Sequence, residues 1–299
     1  MVTEIQFEKG TNHWGRNVFE RIIEQAEFYA GKWGLTDVYF HDHYSMNAIF
    51  YCCSAVYGEC VLKIGGDSQD DEFIWENHIL KEYNGRRYIH LYESDIDLHK
   101  RKKVMLLERV SPGIQLAKEP SLDKRLSVFT ELFNDMHLKP ANIEFYKKYS
   151  EGVEDHIKSN REKESNRDLY DHLLKVKEIL AYVSTIYPQQ MLLHGDLHYH
   201  NILKKGAGKY AVADPQGRIG PAILDTSRYI LIEYYNTPVD ERLKVVNYII
   251  DYLGKSLEIS SDMISKCFYM ETTIFECWRA SVGEYDINNV IFAENLMNN

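Results

Sequence analysis

The chain has 299 residues, enough for one large domain or two modest ones with an ample core. Hydrophobic residues make up 44% and charged residues 27%, which excludes a disordered or fibrous chain. The formal net charge of -10 opposes phosphate backbones, so nucleic acid is not an expected partner, while a cationic small molecule is compatible. No window approaches a membrane-spanning apolar run, and Met1-Val2-Thr3-Glu4-Ile5 has no basic patch followed by an apolar stretch. Neither a membrane partner nor a signal peptide is expected, and the cytoplasm is the expected location. The five cysteines, Cys52, Cys53, Cys60, Cys267 and Cys277, are odd in number and lack zinc or disulfide spacing, so free thiols are expected. A monomer is the default expectation.

Taken in chain order, Val18–Trp33 places Phe19, Ile22, Ile23, Ala26 and Ala30 at helical spacing and predicts an amphipathic helix. Asp37–Tyr44, Ala48–Ala55 and Cys60–Ile64 predict short strands, with a turn at Tyr57-Gly58-Glu59. Asp71–Tyr83 predicts a helix, and Arg87–Leu91 and Val104–Leu107 two more strands. Ser111-Pro112-Gly113 breaks the pattern. Beyond it, Ser121–Leu138 carries an apolar face, Lys147–Asp168 is charged and reads as a solvated helix or loop, and Leu169–Tyr187 is amphipathic again. Gln190–Leu193 and Tyr210–Ala213 are strand-like, and Ile223 to Cys277 reads as helices. There are no internal repeats. The order implies an α+β chain with a strand-rich first third (residues 1–108) and a helical remainder (residues 109–299).

The strongest chemical signal is His194-Gly195-Asp196-Leu197-His198-Tyr199-His200-Asn201, set between two apolar runs. Asp214 follows Asn201 by thirteen residues, and Lys63 lies far upstream in Val61-Leu62-Lys63-Ile64. Phosphoryl transfer needs positioning and charge neutralisation rather than covalent chemistry. Asp196 can orient an attacking hydroxyl and take its proton. Asn201 and Asp214 offer the hard oxygen ligands that Mg²⁺ prefers. The spacing Asp-x4-Asn matches a kinase catalytic loop. Lys63, on a predicted strand, can clamp phosphate oxygens of ATP or GTP, with Glu76, or failing it Glu72, as its carboxylate partner. Backbone groups at Glu108–Val110, so residues Glu108 and Val110, are candidates for the adenine, and the Ser45 hydroxyl is a candidate for the phosphates.

These residues resemble the aminoglycoside phosphotransferase and choline kinase superfamily, which has a two-lobe, protein-kinase-like fold with a small antiparallel N-lobe and a helical C-lobe. Asp214-Pro215-Gln216-Gly217 with Asp225, and Leu107 to Gly113, resemble the streptomycin and hydroxyurea phosphotransferase branch in particular. The resemblance implies a kinase of a small alcohol with Mg²⁺ and ATP or GTP, favouring an aminoglycoside. Choline, a sugar or hydroxyurea are alternative acceptors. Two features depart from a protein kinase: the loop Tyr44-Ser45-Met46-Asn47 has no glycine, and Asp214 precedes Pro215 rather than Phe-Gly. The first leaves a nucleotide-binding pseudokinase open.

Other readings compete. His194, His198 and His200 could suggest a metallohydrolase, but their spacing favours orienting hydrogen bonds. Asp225 is expected to cap a helix or to brace the catalytic loop, with Asp196 as the natural partner. Glu271, Glu276, Trp278, Glu284, Tyr285 and Asp286 suggest either a cation-binding wall or the solvated face of an amphipathic helix.

Overall fold

The computed structural model describes residues 1–67, 72–161 and 167–298. The first residue of the expected helix Asp71–Tyr83, and residues 162–166 near the end of the charged stretch Lys147–Asp168, lie outside them. The chain forms two compact bodies: Met1–Ile114 with Leu203–Ala213, and Gln115–Ile202 with Asp214–Asn299.

The first body opens with helices α1 (Glu4–Trp14) and α2 (Arg16–Lys32). Thr3 and Gln6 close a reciprocal capping box at the start of α1, satisfying two otherwise orphaned donors. Helix α1 escapes sequence reading because its apolar stripe is weak and Gly10 sits mid-helix. That glycine has a packing reason: a Cβ there would lie 2.4 Å from the Phe19 ring. Strands β1 (Leu35–Phe40), β2 (Asn47–Ser54), β3 (Gly58–Gly65), β4 (Leu91–Asp97) and β5 (Lys102–Glu108) form an antiparallel sheet in the order β1-β2-β3-β5-β4. Alternate residues of β2, Ala48, Phe50, Cys52 and Ser54, point inward, the period expected of a half-buried strand. They pack with Leu62 and Ile64 of β3 beneath Phe19, Ile22, Ala26 and Tyr29 of α2. Helix α3 (Glu72–Tyr83) follows β3.

The expected strand over Arg87–Leu91 is displaced. Tyr88 and Ile89 are buried, but the Ile89 amide donates to Val212 O at 2.9 Å and the Val212 amide to Arg87 O at 2.8 Å. The run therefore pairs with a segment more than a hundred residues later, and β4 begins only at Leu91. That later segment forms β8 (Ile202–Lys205) and β9 (Lys209–Val212), which with β6 (Pro112–Gln115) make a three-stranded sheet in the order β6-β8-β9.

The second body is helical: α4 (Leu122–Met136), α5 (Tyr149–Asn160), α6 (Arg167–Ile186), α7 (Asp225–Asn236), α8 (Arg242–Leu257), α9 (Ser261–Ser281) and α10 (Ile287–Met297). Helix α9 is buried along most of its length against α5, α6, α7, α8 and α10. Its only sheet among the described residues is the antiparallel pair β7 (Met191–Leu193) and β10 (Arg218–Gly220), which matches Leu193 with Arg218. This short ladder fixes the start of the His194–Asn201 loop. No helix among the described residues is long and apolar enough to cross a membrane. The architecture is α+β, with an N-terminal antiparallel sheet and a helical C-terminal part.

Candidate active site

In the second body, the chain leaves β7 at Leu193 and turns sharply. Gly195 has φ +81°, a conformation that glycine adopts without steric cost. The His194 carbonyl accepts from the amides of Gln216 (2.8 Å) and Gly217 (3.1 Å), tying the loop to the segment that follows Asp214. Leu197, fully buried, anchors its middle.

Helix α7 supplies the main brace. The buried Asp225 side chain accepts the His194 amide on Oδ2 (2.8 Å) and the Gly195 amide on Oδ1 (2.9 Å). His137, just past α4, contacts Oδ2 through Nε2 at 2.9 Å. Burial pushes the Asp225 carboxyl up, but His137's hydrogen bond and charge, His194 and the Gly195 amide outweigh it and hold it below the ordinary carboxylate value. The brace thus acts on His194 and Gly195, one step short of the expected partner Asp196.

Asp196 has one contact from α7 and two from its own loop. Its Oδ1 lies 3.1 Å from Arg228 Nε. Its Oδ2 lies 3.3 Å from Asn201 Nδ2 and 3.4 Å from His198 Nε2. Desolvation raises its pKa, but the His198 hydrogen bond and the charges of Arg228, His198 and His194 bring it below the ordinary value. It is therefore an ionised carboxylate at neutral pH. The histidines orient the backbone: His194 Nδ1 accepts the Asp196 amide at 3.1 Å, and His198 Nδ1 the His200 amide at 3.2 Å. Among the described residues no group of three or more His, Cys, Asp or Glu side chains is placed to hold a metal ion.

Asn201 Nδ2 also donates to Asp196 O at 3.0 Å. Two oxygen acceptors on that side assign the amide nitrogen to it and turn the amide oxygen the other way. Asp214 is exposed and has φ +61°, a left-handed conformation that Asp tolerates better than bulkier residues. An amide oxygen and an exposed carboxylate are the donor chemistry that suits Mg²⁺.

In the first body, Lys63 and Glu76 are both buried, and Lys63 Nζ donates to Glu76 Oε2 at 2.6 Å. The pairing selects Glu76 over Glu72, one helical turn earlier. Ser45 lies in the loop between β1 and β2, and its hydroxyl donates to Asn47 O at 3.1 Å, closing that turn. Glu108 ends β5. Its amide donates to His90 O at 2.8 Å, and its carboxylate accepts the His90 amide and pairs with Lys205 at 2.6 Å. Val110, next but one, is buried. The structure therefore brings together Asp196 and Asn201 in one body, and Lys63 and Glu76 in the other.

Of the acid and aromatic residues near the C-terminus, Trp278, Glu284 and Asp286 are exposed, as on a solvated face, and the first two glutamates are not. Glu271 and Glu276 are buried, not solvated, and both are paired. Glu271 contacts Arg228 at 2.9 Å, and Glu276 contacts Arg279 at 3.2 Å and accepts from Asn289 at 2.8 Å and from the Tyr235 hydroxyl. Trp278 is exposed and stacks on Phe275 with ring centroids 5.6 Å apart. Arg228 and His137 were not among the candidates read from the sequence, and Glu271 was a candidate for a cation-binding wall or a solvated face rather than a partner of Arg228. One signal for Arg228 was present: it is the one basic residue of α7, a single helical turn after Asp225.

The sequence of residues 58–283 matches the family model described as aminoglycoside/hydroxyurea antibiotic resistance kinase. No curated protein matches the chain in sequence. Among solved structures, choline kinase LicA from Streptococcus pneumoniae is similar, with 14% identity, 94% of this chain and 99% of that chain covered, and a TM-score of 0.59. A choline/ethanolamine kinase family protein from Mesorhizobium loti has 14% identity, 88% coverage of each chain and a TM-score of 0.62. Aminoglycoside phosphotransferase APH(4)-Ia, in a ternary complex with ADP and hygromycin B, has 10% identity, 91% and 96% coverage and a TM-score of 0.57. At such identities the likeness is one of fold. The family match spans most of the chain, and it shows that this protein belongs to the aminoglycoside/hydroxyurea antibiotic resistance kinases, phosphotransferases that act on hydroxyl groups.

Proposed function

We propose that the chain transfers the γ-phosphate of ATP or GTP to a hydroxyl of a small cationic compound, with a streptomycin-like aminoglycoside as the favoured acceptor. The observation that carries this reading is Asp196: an ionised carboxylate, oriented by Arg228, Asn201 and His198, in a loop clamped through Asp225. Its role is to align the acceptor hydroxyl and take its proton. Lys63, fixed by Glu76, steadies phosphate oxygens. The amide oxygen of Asn201 and the carboxylate of Asp214 would hold Mg²⁺, which neutralises phosphate charge when bound. Residues 1–108 serve the nucleotide, with Ser45 near the phosphates and backbone at Glu108 and Val110 near the base, and residues 109–299 serve the acceptor.

A second acceptor class has one specific observation in its favour. Because Glu271 and Glu276 are spent on internal arginines, they are not available to a polycation. The exposed Trp278, stacked on Phe275, offers a ring face that suits a single quaternary ammonium such as choline. Hydroxyurea, phosphorylated on its N-hydroxyl, is a third acceptor consistent with the family.

The rival to any enzyme reading is a pseudokinase that only binds nucleotide. Asp196→Asn separates them. For a kinase, turnover falls by about 100- to 10,000-fold while nucleotide affinity is kept. A variant with unaltered NTP turnover would contradict the role given to Asp196.

A further inference from the structure

The first turn of α7 holds three consecutive residues of the catalytic loop by two different means. Asp225 takes the amides of His194 and Gly195. One turn on, Arg228 reaches the Asp196 carboxylate itself, with Nε 3.1 Å from Oδ1. The guanidinium continues to α9, where Nη2 lies 2.9 Å from Glu271 Oε1. Glu271 Oε2 accepts from the Tyr149 hydroxyl at 3.1 Å, at the start of α5. The Phe275 ring lies 5.5 Å from the Arg228 guanidinium carbon.

Neither Arg228 Nε nor Glu271 Oε1 makes an aligned hydrogen bond, and both atoms are buried. The guanidinium is thus held between the two carboxylates by charge and by the ring face rather than by directional bonds. A cation shared by two largely enclosed anions is costly to remove, because each anion then faces the other uncompensated. The two oxygens of Asp196 are also unequal. Oδ1 faces a full positive charge, whereas the contacts of Oδ2, at 3.3 and 3.4 Å, are longer. The oxygen against the cation is the less basic of the two.

We propose that Arg228 is a positioning residue for phosphoryl transfer, setting the Asp196 carboxylate from the Oδ1 side through Glu271 and Tyr149 and leaving Oδ2 to meet the acceptor. This rests on the reading of Asp196 as the base. As the acceptor oxygen bonds to the γ-phosphorus, its proton passes to Oδ2 and the bond to the leaving NDP oxygen breaks. Arg228 touches none of the reacting atoms. It acts by holding one rotamer of the group that does.

The test measures NDP release with ATP and with GTP, using water and then streptomycin as acceptor, in wild type, Arg228→Ala, Arg228→Lys and Glu271→Gln. A misaligned base costs on the order of 100-fold in kcat. Arg228→Ala should show that loss with the nucleotide KM within about twofold of wild type, since the nucleotide contacts assigned here do not involve Arg228. Methylguanidinium added to Arg228→Ala should restore part of the water-acceptor rate. Arg228→Lys should not recover it, because an ammonium cannot span both carboxylates. Should Arg228→Ala fail to fold, Glu271→Gln decides: it keeps the shape, frees the far end of the guanidinium and should lower kcat about tenfold at unchanged nucleotide KM. Wild-type kcat in the folded variants, or losses confined to KM, overturns the inference while the kinase reading stands. A wild-type protein silent with both nucleotides, when water, streptomycin, choline, hydroxyurea and simple sugars are each tried as acceptor, sinks the kinase reading and the inference with it.

Discussion

Lys63 and Glu76 form a buried ion pair at 2.6 Å, and the physics of such pairs gives a double prediction. Removing one partner leaves an uncompensated buried charge, at a cost of about 3–5 kcal/mol. Glu76→Gln should therefore lower stability in denaturant unfolding, and, if Lys63 serves the nucleotide as proposed, should raise the nucleotide KM more than it lowers kcat, because Lys63 loses the carboxylate that holds it. A stable variant with wild-type KM would remove Lys63 from the nucleotide. The sequence offers Glu76 first, with Glu72 as the fallback, and the structure pairs Glu76. Glu76 is distinguished by lying one turn deeper in α3, beside the apolar Ile79 and Leu80, where only a paired carboxylate is tolerated. Asp196 and Asn201 were legible because their spacing is local. Arg228 and Glu271 were not, because their contacts join loop, α7 and α9 across more than forty residues of sequence.

At the scale of elements, α7 is the template of the His194–Asn201 loop, and Asp225 is its principal attachment. The folded carboxyl is held below its unfolded value, so its contribution to stability is complete above the unfolded value, near pH 4, and disappears as pH falls through the lower folded value. Wild type should lose stability steeply on acidification below about pH 4, and Asp225→Asn should show a flatter profile there with lower stability at neutral pH. Parallel profiles in urea unfolding at several pH values would mean that Asp225 carries no such linkage. The elements themselves were mostly readable. Helices with a strong stripe, such as α2, α4 and α6, follow from their 3.6-residue periodicity. Helix α1 lacked that stripe, and the run at Arg87–Leu91 carried strand-like residues whose partner is Val212. Local pattern shows that a segment is buried, not which distant segment it pairs with.

At the scale of the whole molecule, the chain passes between its two bodies three times, and the excursion Leu203–Ala213 into the first body is bounded by Asn201 and Asp214, the two residues assigned to Mg²⁺. Sequence order suggested a single boundary near Glu108–Gly113. A short returning hairpin leaves no compositional mark, which is why β8 escapes sequence reading and β9 shows only as the strand-like Tyr210–Ala213. The family match gives a phosphotransferase, so the choice of acceptor is what remains to be measured. The most direct measurement is coupled NDP release with Mg²⁺ and ATP or GTP, across streptomycin, other aminoglycosides, hydroxyurea, choline and simple sugars. The account predicts that an aminoglycoside stimulates release, and that Asp196→Asn abolishes the stimulation. Stimulation by choline or a sugar alone would contradict the aminoglycoside assignment. Tight nucleotide binding with no stimulation by any acceptor would contradict the kinase itself.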